Sequence, residues 1–202
     1  YQKHISIDLA GVFPLVAAPH HVDNIKSVAS VAGTEVHEGL IGTCTNGRIE
    51  DLRTAASVLK GAKVKEGFQL HIIPASKEIY LHAIREGLIT DLIEAGANIL
   101  SPSCGPCLGT GQGIPASGHT VISTANRNFL GRMGNKEASI YLASPATVAS
   151  SAITGVITDP RIAKGNEIFP FNPPQSKTNT IAEGENRREG NVWNYADVDN
   201  LN

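Results

Sequence analysis

Three cysteines occur among the 202 residues, and their spacing is the chemical feature of the chain. Cys104 and Cys107 share the stretch SPSCGPCLGTGQG, residues 101–113, and Cys44 lies 60 residues upstream in GLIGTCTNGRIEDL. Thiols so arranged suit four kinds of work. CGPC is a redox dithiol spacing, in which a helix N-terminus depresses the pKa of the first thiol. Free cysteines also fill apolar cores, thiolates bind zinc, and thiolates hold iron–sulfur clusters. The redox reading needs a good helix after Cys104, whereas Cys107 runs into LGTGQGIPASG, with four glycines and a proline in eleven residues. Nor does a Trp precede Cys104, since the only one is Trp193. Core filling is disfavoured because all three cysteines fall at predicted strand ends beside glycines and hydroxyls. Structural zinc usually shows two paired knuckles, and here there is one pair. A cluster held by Cys44, Cys104 and Cys107 would leave one iron without a protein ligand, open to hydroxide or to a substrate hydroxyl or carboxylate. Such an iron is a Lewis acid rather than an electron carrier.

The elements around these residues alternate. HEGLIGTC, QLHIIPAS, ANILSPS, HTVISTA and ASIYLAS read as strands, short, apolar and rich in β-branched residues. Between them RIEDLRTAASVLKG carries Ile49, Leu52, Ala55, Ala56 and Leu59 on one helical face, with Asn46 as the expected cap and Gly61 at the end. Ser76 is placed to cap KEIYLHAIRE, Gly87 to end it, and LIEAG to form a further short helix. Ser144 followed by Pro145 opens PATVASSAIT, which Gly155 closes. This order predicts an α/β, three-layer domain with a mostly parallel sheet, and a ligand site beyond the carboxyl ends of its strands. Residues 1–36 are expected to form a lead-in segment along the surface, 37–164 the α/β domain that bears the cysteines, and 165–202 a linker or tail rich in Asn, Pro, Glu and Gly.

The totals narrow the partners. Seventeen basic and nineteen acidic side chains give a net charge of −2 and form no cationic stripe, so nucleic acid is not an expected partner. No apolar run approaches the roughly 20 residues that span a bilayer, and the expected setting is soluble and cytoplasmic. An odd and small number of cysteines excludes a disulfide framework.

IGTCTNGRIEDLRTAA, SPSCGPCLGTGQG and STANRNFLGRMG, followed by IYLASPATVASSAI and ITDP, together resemble the cluster-binding region of the aconitase family. The branch most similar is the large subunit of 3-isopropylmalate dehydratase and homoaconitase. The resemblance runs from about Gly39 to Pro160 and implies the fold of the family's third domain. It implies a hydro-lyase that isomerises hydroxy di- and tricarboxylic acids by dehydration and rehydration, with a 4Fe-4S cluster held by Cys44, Cys104 and Cys107. It also implies substrate contacts from Asn126, Arg127 and Arg132. Planar, permanently charged guanidinium groups suit that role, because each grips a carboxylate by two bonds. Thr45, Asn46 and Ser103 stand beside the thiols, with Asn46 read chiefly as a cap. Arg48, Asp51 and Arg53 read as the solvated face of the first helix, and His20 and His21 as solvated or structural.

The chain departs from a complete family member. The His and Asp residues that assist proton movement in two preceding domains have no counterpart here, nor does the serine base of the small swivelling domain, so no catalytic residue is assigned. VWNYADVDNLN resembles the opening of that small domain. The expected partners are therefore a small carboxylic acid, the remaining large-subunit domains and the swivel domain or subunit, without which the isolated chain should be inactive. The alternatives are a non-catalytic binding or assembly module of the same fold, and a CGPC thiol-disulfide oxidoreductase.

Overall fold

The computed structural model describes residues 4–6 and 12–162. The expected linker at 165–202 lies outside them. A seven-stranded sheet has the order β2-β1-β7-β6-β3-β4-β5. Its elements are β1 (Leu15–Ala17), β2 (Ile25–Ser27), β3 (Glu38–Gly42), β4 (Gln69–Ile73), β5 (Asn98–Ile99), β6 (Thr120–Ser123) and β7 (Ser139–Leu142). From β7 to β5 every neighbouring pair is parallel, β1 pairs antiparallel with β7, and β2 pairs antiparallel with β1. The chain runs from β3 outward through β4 and β5, then returns to the other side of β3 for β6 and β7. Strand order therefore reverses between β3 and β6, where open α/β sheets place their ligand crevice.

All four longer helices pack on one face of the sheet. They are α2 (Ile49–Leu59), α3 (Lys77–Arg85), α4 (Leu88–Ala95) and α5 (Pro145–Thr154), preceded by the single turn α1 (Val28–Val31). Their buried side chains, among them Leu52, Leu59, Leu92 and Val148, meet Ile41, Leu70, Ile72 and Ile122. The alternate residues Leu40, Ile73, Val121 and Ile140 point to the opposite face and pack with Cys107, Ala125 and Met133. That face is covered by turns from the glycine-rich segment, so the third layer contains no α-helix among the described residues. β3 is central, and all five of its residues are buried.

Local signals set most boundaries. Ser76 accepts a hydrogen bond from the Ile79 amide and Ser144 one from the Thr147 amide, satisfying donors that helix starts leave unpaired. Gly87 and Gly155 hold the left-handed conformation at the helix ends predicted for them. Two expectations fail. Asp51, not Asn46, caps α2: its carboxylate accepts from the Gly47 and Arg48 amides at 2.9 and 3.0 Å, and Asn46 reaches only its neighbour Gly47. An acceptor one turn into the helix serves two adjacent amides, and its negative charge suits the N-terminal dipole. Arg53 is likewise not merely solvated, since its Nε donates to Glu86 at 2.8 Å and ties α2 to the end of α3.

Residues 12–36 also differ from a surface lead-in. They supply β1 and β2, and Val16 and Val28 are buried. What pins them is Asn128, fully buried, whose Nδ2 donates to the carbonyls of Ala18 at 2.9 Å and Ile140 at 3.3 Å. One side-chain amide thus joins the β1 end to β7, the strand beside it, which a local reading of either segment does not reveal.

At the carboxyl end of β3 the packing leaves no room for a side chain. A Cβ on Gly42 would lie 1.9 Å from the Ile73 carbonyl oxygen, and the residue has φ of 125°. Gly42→Ala is expected to lower stability by about 3 kcal/mol or more in urea unfolding. Gly61→Ala, where a Cβ meets nothing within 4 Å, should cost only the left-handed strain of about 1 kcal/mol.

Candidate functional site

Three strand ends bring the sequence-predicted residues to one edge of the sheet. After β3, Gly42 and Thr43 both have positive φ, 125° and 76°, and deliver an exposed Cys44. The Thr43 amide donates to the Ile73 carbonyl at 3.1 Å. The Gly42 amide donates to Thr124 Oγ1 at 2.9 Å, which sews the end of β3 to that of β6. The loop then folds back over β4: a Cβ on Gly47 would stand 2.5 Å from the Ile73 oxygen and 2.7 Å from Gly42 Cα.

After β5, Ser103 donates to the Ser101 carbonyl and an exposed Cys104 enters a 3₁₀ turn, Gly105–Leu108, which Gly109 ends in the left-handed conformation. Gly105 approaches the same Ile73, with a Cβ position 3.4 Å from its Cδ1. Cys107 is buried among Leu40, Ile73, Val121 and Met133. Gly109 rests against Gly134, where a Cβ would be 2.6 Å from the Gly134 nitrogen. The turns bearing Cys44 and Cys104 thus both lean on one residue, Ile73, and Cys107 packs in the same cluster.

After β6 come Asn126 and Arg127, both exposed. Arg127 donates through Nη1 to the Asn126 carbonyl at 2.7 Å. Arg132 is held more closely. Its Nη2 donates to Cys107 Sγ at 3.8 Å, its guanidinium carbon stands 5.5 Å from the centroid of Phe129, and its Nε is buried with no acceptor among the described residues. The Arg132 guanidinium is thus fixed beside the Cys107 sulfur.

All three thiols are free. Among the described residues no three His, Cys, Asp or Glu side chains stand close enough to hold one metal ion. A polynuclear cluster makes a different demand, because each thiolate takes a different iron and the thiols stand farther apart. The donor set, three thiols without a histidine or carboxylate among them, fits such a cluster in its chemistry. So do the close-packed glycines, which let backbone approach, and two of the orphaned buried donors, Thr43 Oγ1 and Arg132 Nε.

A second group of ionisable side chains lies on the turn-covered face and was not singled out by sequence. His71, in the middle of β4, is buried beneath Gly113, and neither ring nitrogen has a partner among the described residues. Burial lowers its pKa, against a smaller upward pull from Glu38. Glu38 is itself buried and meets His119 Nδ1 at 2.7 Å, while His37 stacks on the His119 ring at 4.6 Å. The signal was the one polar residue inside the buried run LHII of the strand QLHII. His21, by contrast, is exposed and paired locally with Asp23.

The model of the aconitase family (aconitate hydratase) matches residues 21–155, and this chain belongs to that family. It is 55% identical over 161 residues to 3-isopropylmalate dehydratase large subunit 2 of Archaeoglobus fulgidus, an alignment covering 80% of this chain and 39% of that one. It is 51% identical over 159 residues to the methanogen homoaconitase large subunit of Methanocaldococcus jannaschii (79% and 38% covered). The homoaconitase large subunit of Thermus thermophilus is 49% identical over 168 residues (83% and 40%). The chain thus spans about two fifths of the length of these relatives. No helix among the described residues is long and apolar enough to cross a membrane.

The buried His71 makes stability depend on pH. Because its folded pKa lies below the ordinary 6.5, the unfolded chain takes up a proton first as the pH falls, and stability declines from about pH 6.5 downward through the folded value. Urea unfolding of His71→Leu at pH 7.5 and 5.5 should show a smaller loss than the parent chain over that interval.

Proposed function

We propose that this chain is the cluster-holding part of an iron–sulfur hydro-lyase acting on hydroxy di- or tricarboxylic acids of the 3-isopropylmalate or homocitrate type. Cys44, Cys104 and Cys107 would hold a 4Fe-4S cluster. The observation that carries the reading is the packing of both cysteine-bearing turns against Ile73, with the Arg132 guanidinium on Cys107 Sγ, beside the point where strand order reverses. When bound, the group would supply an iron lacking a protein ligand, a Lewis acid for a substrate hydroxyl and carboxylate. The protein's own part is binding and orientation. Arg132 and Arg127 would grip substrate carboxylates, Arg132 from a guanidinium already fixed by Cys107 and Phe129 and Arg127 from an exposed position that substrate can reach. Asn126 would contribute a polar contact at the rim.

The names of the relatives, large subunits of a dehydratase and of homoaconitases, support a small-subunit partner and further large-subunit domains for this chain as well. Leu108, Ile114, Phe129 and Leu130 are each 43% exposed or more and cluster in the segments that bear the site residues. Surface of this kind suits cover by additional protein. Proton transfer is assigned to those other parts, and a cytoplasmic setting suits three free thiols. The oxidoreductase alternative is disfavoured because Cys104 opens a four-residue 3₁₀ turn, not an α-helix whose dipole would activate it.

Anaerobic reconstitution with iron and sulfide should give about four irons per chain. Cys44→Ser, Cys104→Ser and Cys107→Ser should each lower that count by half or more. Dehydration of 3-isopropylmalate or homocitrate should appear only once the remaining domains and the small subunit are supplied. A chain that takes up no iron would overturn the cluster reading. A loaded complete assembly that turns over neither acid would leave the binding-module alternative.

A further inference from the structure

The backbone and side chain of Thr43 carry two costs at one residue. Sixteen described residues have positive φ, and fifteen are glycine. The exception is Thr43, a β-branched residue at φ of 76°, the side-chain type least suited to that conformation. Its neighbour Gly42 and the nearby Gly47 are glycines for want of space, so the local sequence does use glycine where the backbone turns left-handed. At position 43 a side chain is kept instead. That side chain is 1% exposed, and its hydroxyl has no hydrogen-bond partner among the described residues. A buried, unpaired hydroxyl costs about 1–3 kcal/mol on its own.

Neither cost is offset by a contact among the described residues. The Thr43 amide is already satisfied by Ile73, so the turn does not need the hydroxyl to hold its backbone. The next residue is Cys44, whose sulfur in a cluster is an anionic acceptor with inorganic sulfides beside it. We infer that Thr43 is a positioning residue whose hydroxyl donates a hydrogen bond to a sulfur of the bound cluster at Cys44, thiolate or sulfide. This rests on the cluster reading and extends it to a residue that neither the motif spacing nor the ligand set assigns. Hydrogen bonds to sulfur stabilise the more reduced, more negative state of a cluster and raise its potential. The strained turn aims a donor before the cluster arrives, and the penalty falls on the unloaded chain.

The test uses three forms of the full 202-residue chain: parent, Thr43→Val, which keeps the shape and the branching but removes the hydroxyl, and Thr43→Ser, which keeps the hydroxyl. Without iron, Thr43→Val should unfold at a midpoint about 2–4 °C higher than the parent, because an unpaired buried polar atom has become a methyl. After anaerobic loading the order should reverse. The cluster on Thr43→Val should be lost to a chelator about tenfold faster and show a more negative reduction midpoint, while Thr43→Ser stays within about twofold of the parent. A purely structural Thr43 predicts that Val changes unloaded stability and cluster retention in the same direction, or neither, and that result would overturn the inference. So would an unloaded Thr43→Val less stable than the parent, which would mean that the hydroxyl already has a partner, such as water. Failure of the parent chain to bind iron is a separate result, read in the parent alone, and sinks the cluster reading together with this extension.

Discussion

The carbonyl oxygen of Ile73 is the point on which the site edge of the domain is built. It accepts from the Thr43 amide, and Gly42 and Gly47 both approach it at distances no Cβ permits. The side chain of the same residue meets Gly105 and packs in one cluster with Cys107. A single β4 residue therefore sets the positions of two turns far apart in sequence. Residues 42–47 and 104–107 need not contact each other directly to be held in register, because each is fitted to a common, rigid third party. Close packing transmits such constraints well, since a well-filled interior has little room to relax.

The sheet's two faces divide the labour. On the helical face, Leu52, Leu59, Leu92 and Val148 build an ordinary apolar core from elements with strong local propensity. The opposite face is covered by turns, and its core is small: Leu40, Ile73, Val121, Ile140, Met133 and Ala125 share it with Cys107 itself. Loops positioned by a rigid scaffold are where function concentrates, and here the scaffold is secured from the far side of the sheet.

Legibility in the sequence followed the same division. β3, β4, β6, β7 and the helices α2, α3 and α5 were readable because apolar periodicity, Ser caps and terminal glycines act within a few residues. The cysteines drew notice for a different reason: thiols are rare in this chain and their spacing is chemically restrictive. What escaped was whatever depends on contacts between distant segments. β1 and β2 are three residues each, too short for a periodic signal, and the end of β1 is fixed by Asn128 from more than a hundred residues away. Asp51 displaced Asn46 as cap because reach, not residue preference, decided which oxygen found two amides. His71 and Thr43 look ordinary as letters, and become informative only when burial and missing partners are known.

Arg127 and Arg132 show how far residue type alone can carry a functional argument. Both sit in ANRNFLGRMG and both suit a carboxylate equally well by chemistry. The structure separates them. Arg127 is exposed and folded back on its neighbour's carbonyl, so it can reorient toward an arriving anion at little cost beyond one hydrogen bond. Arg132 is half-buried between the Cys107 sulfur and the Phe129 ring, with its Nε already out of reach of water. A guanidinium held between two such contacts has little rotational freedom left to lose. A Lys in its place would keep the charge while losing the planar group that makes both of these contacts.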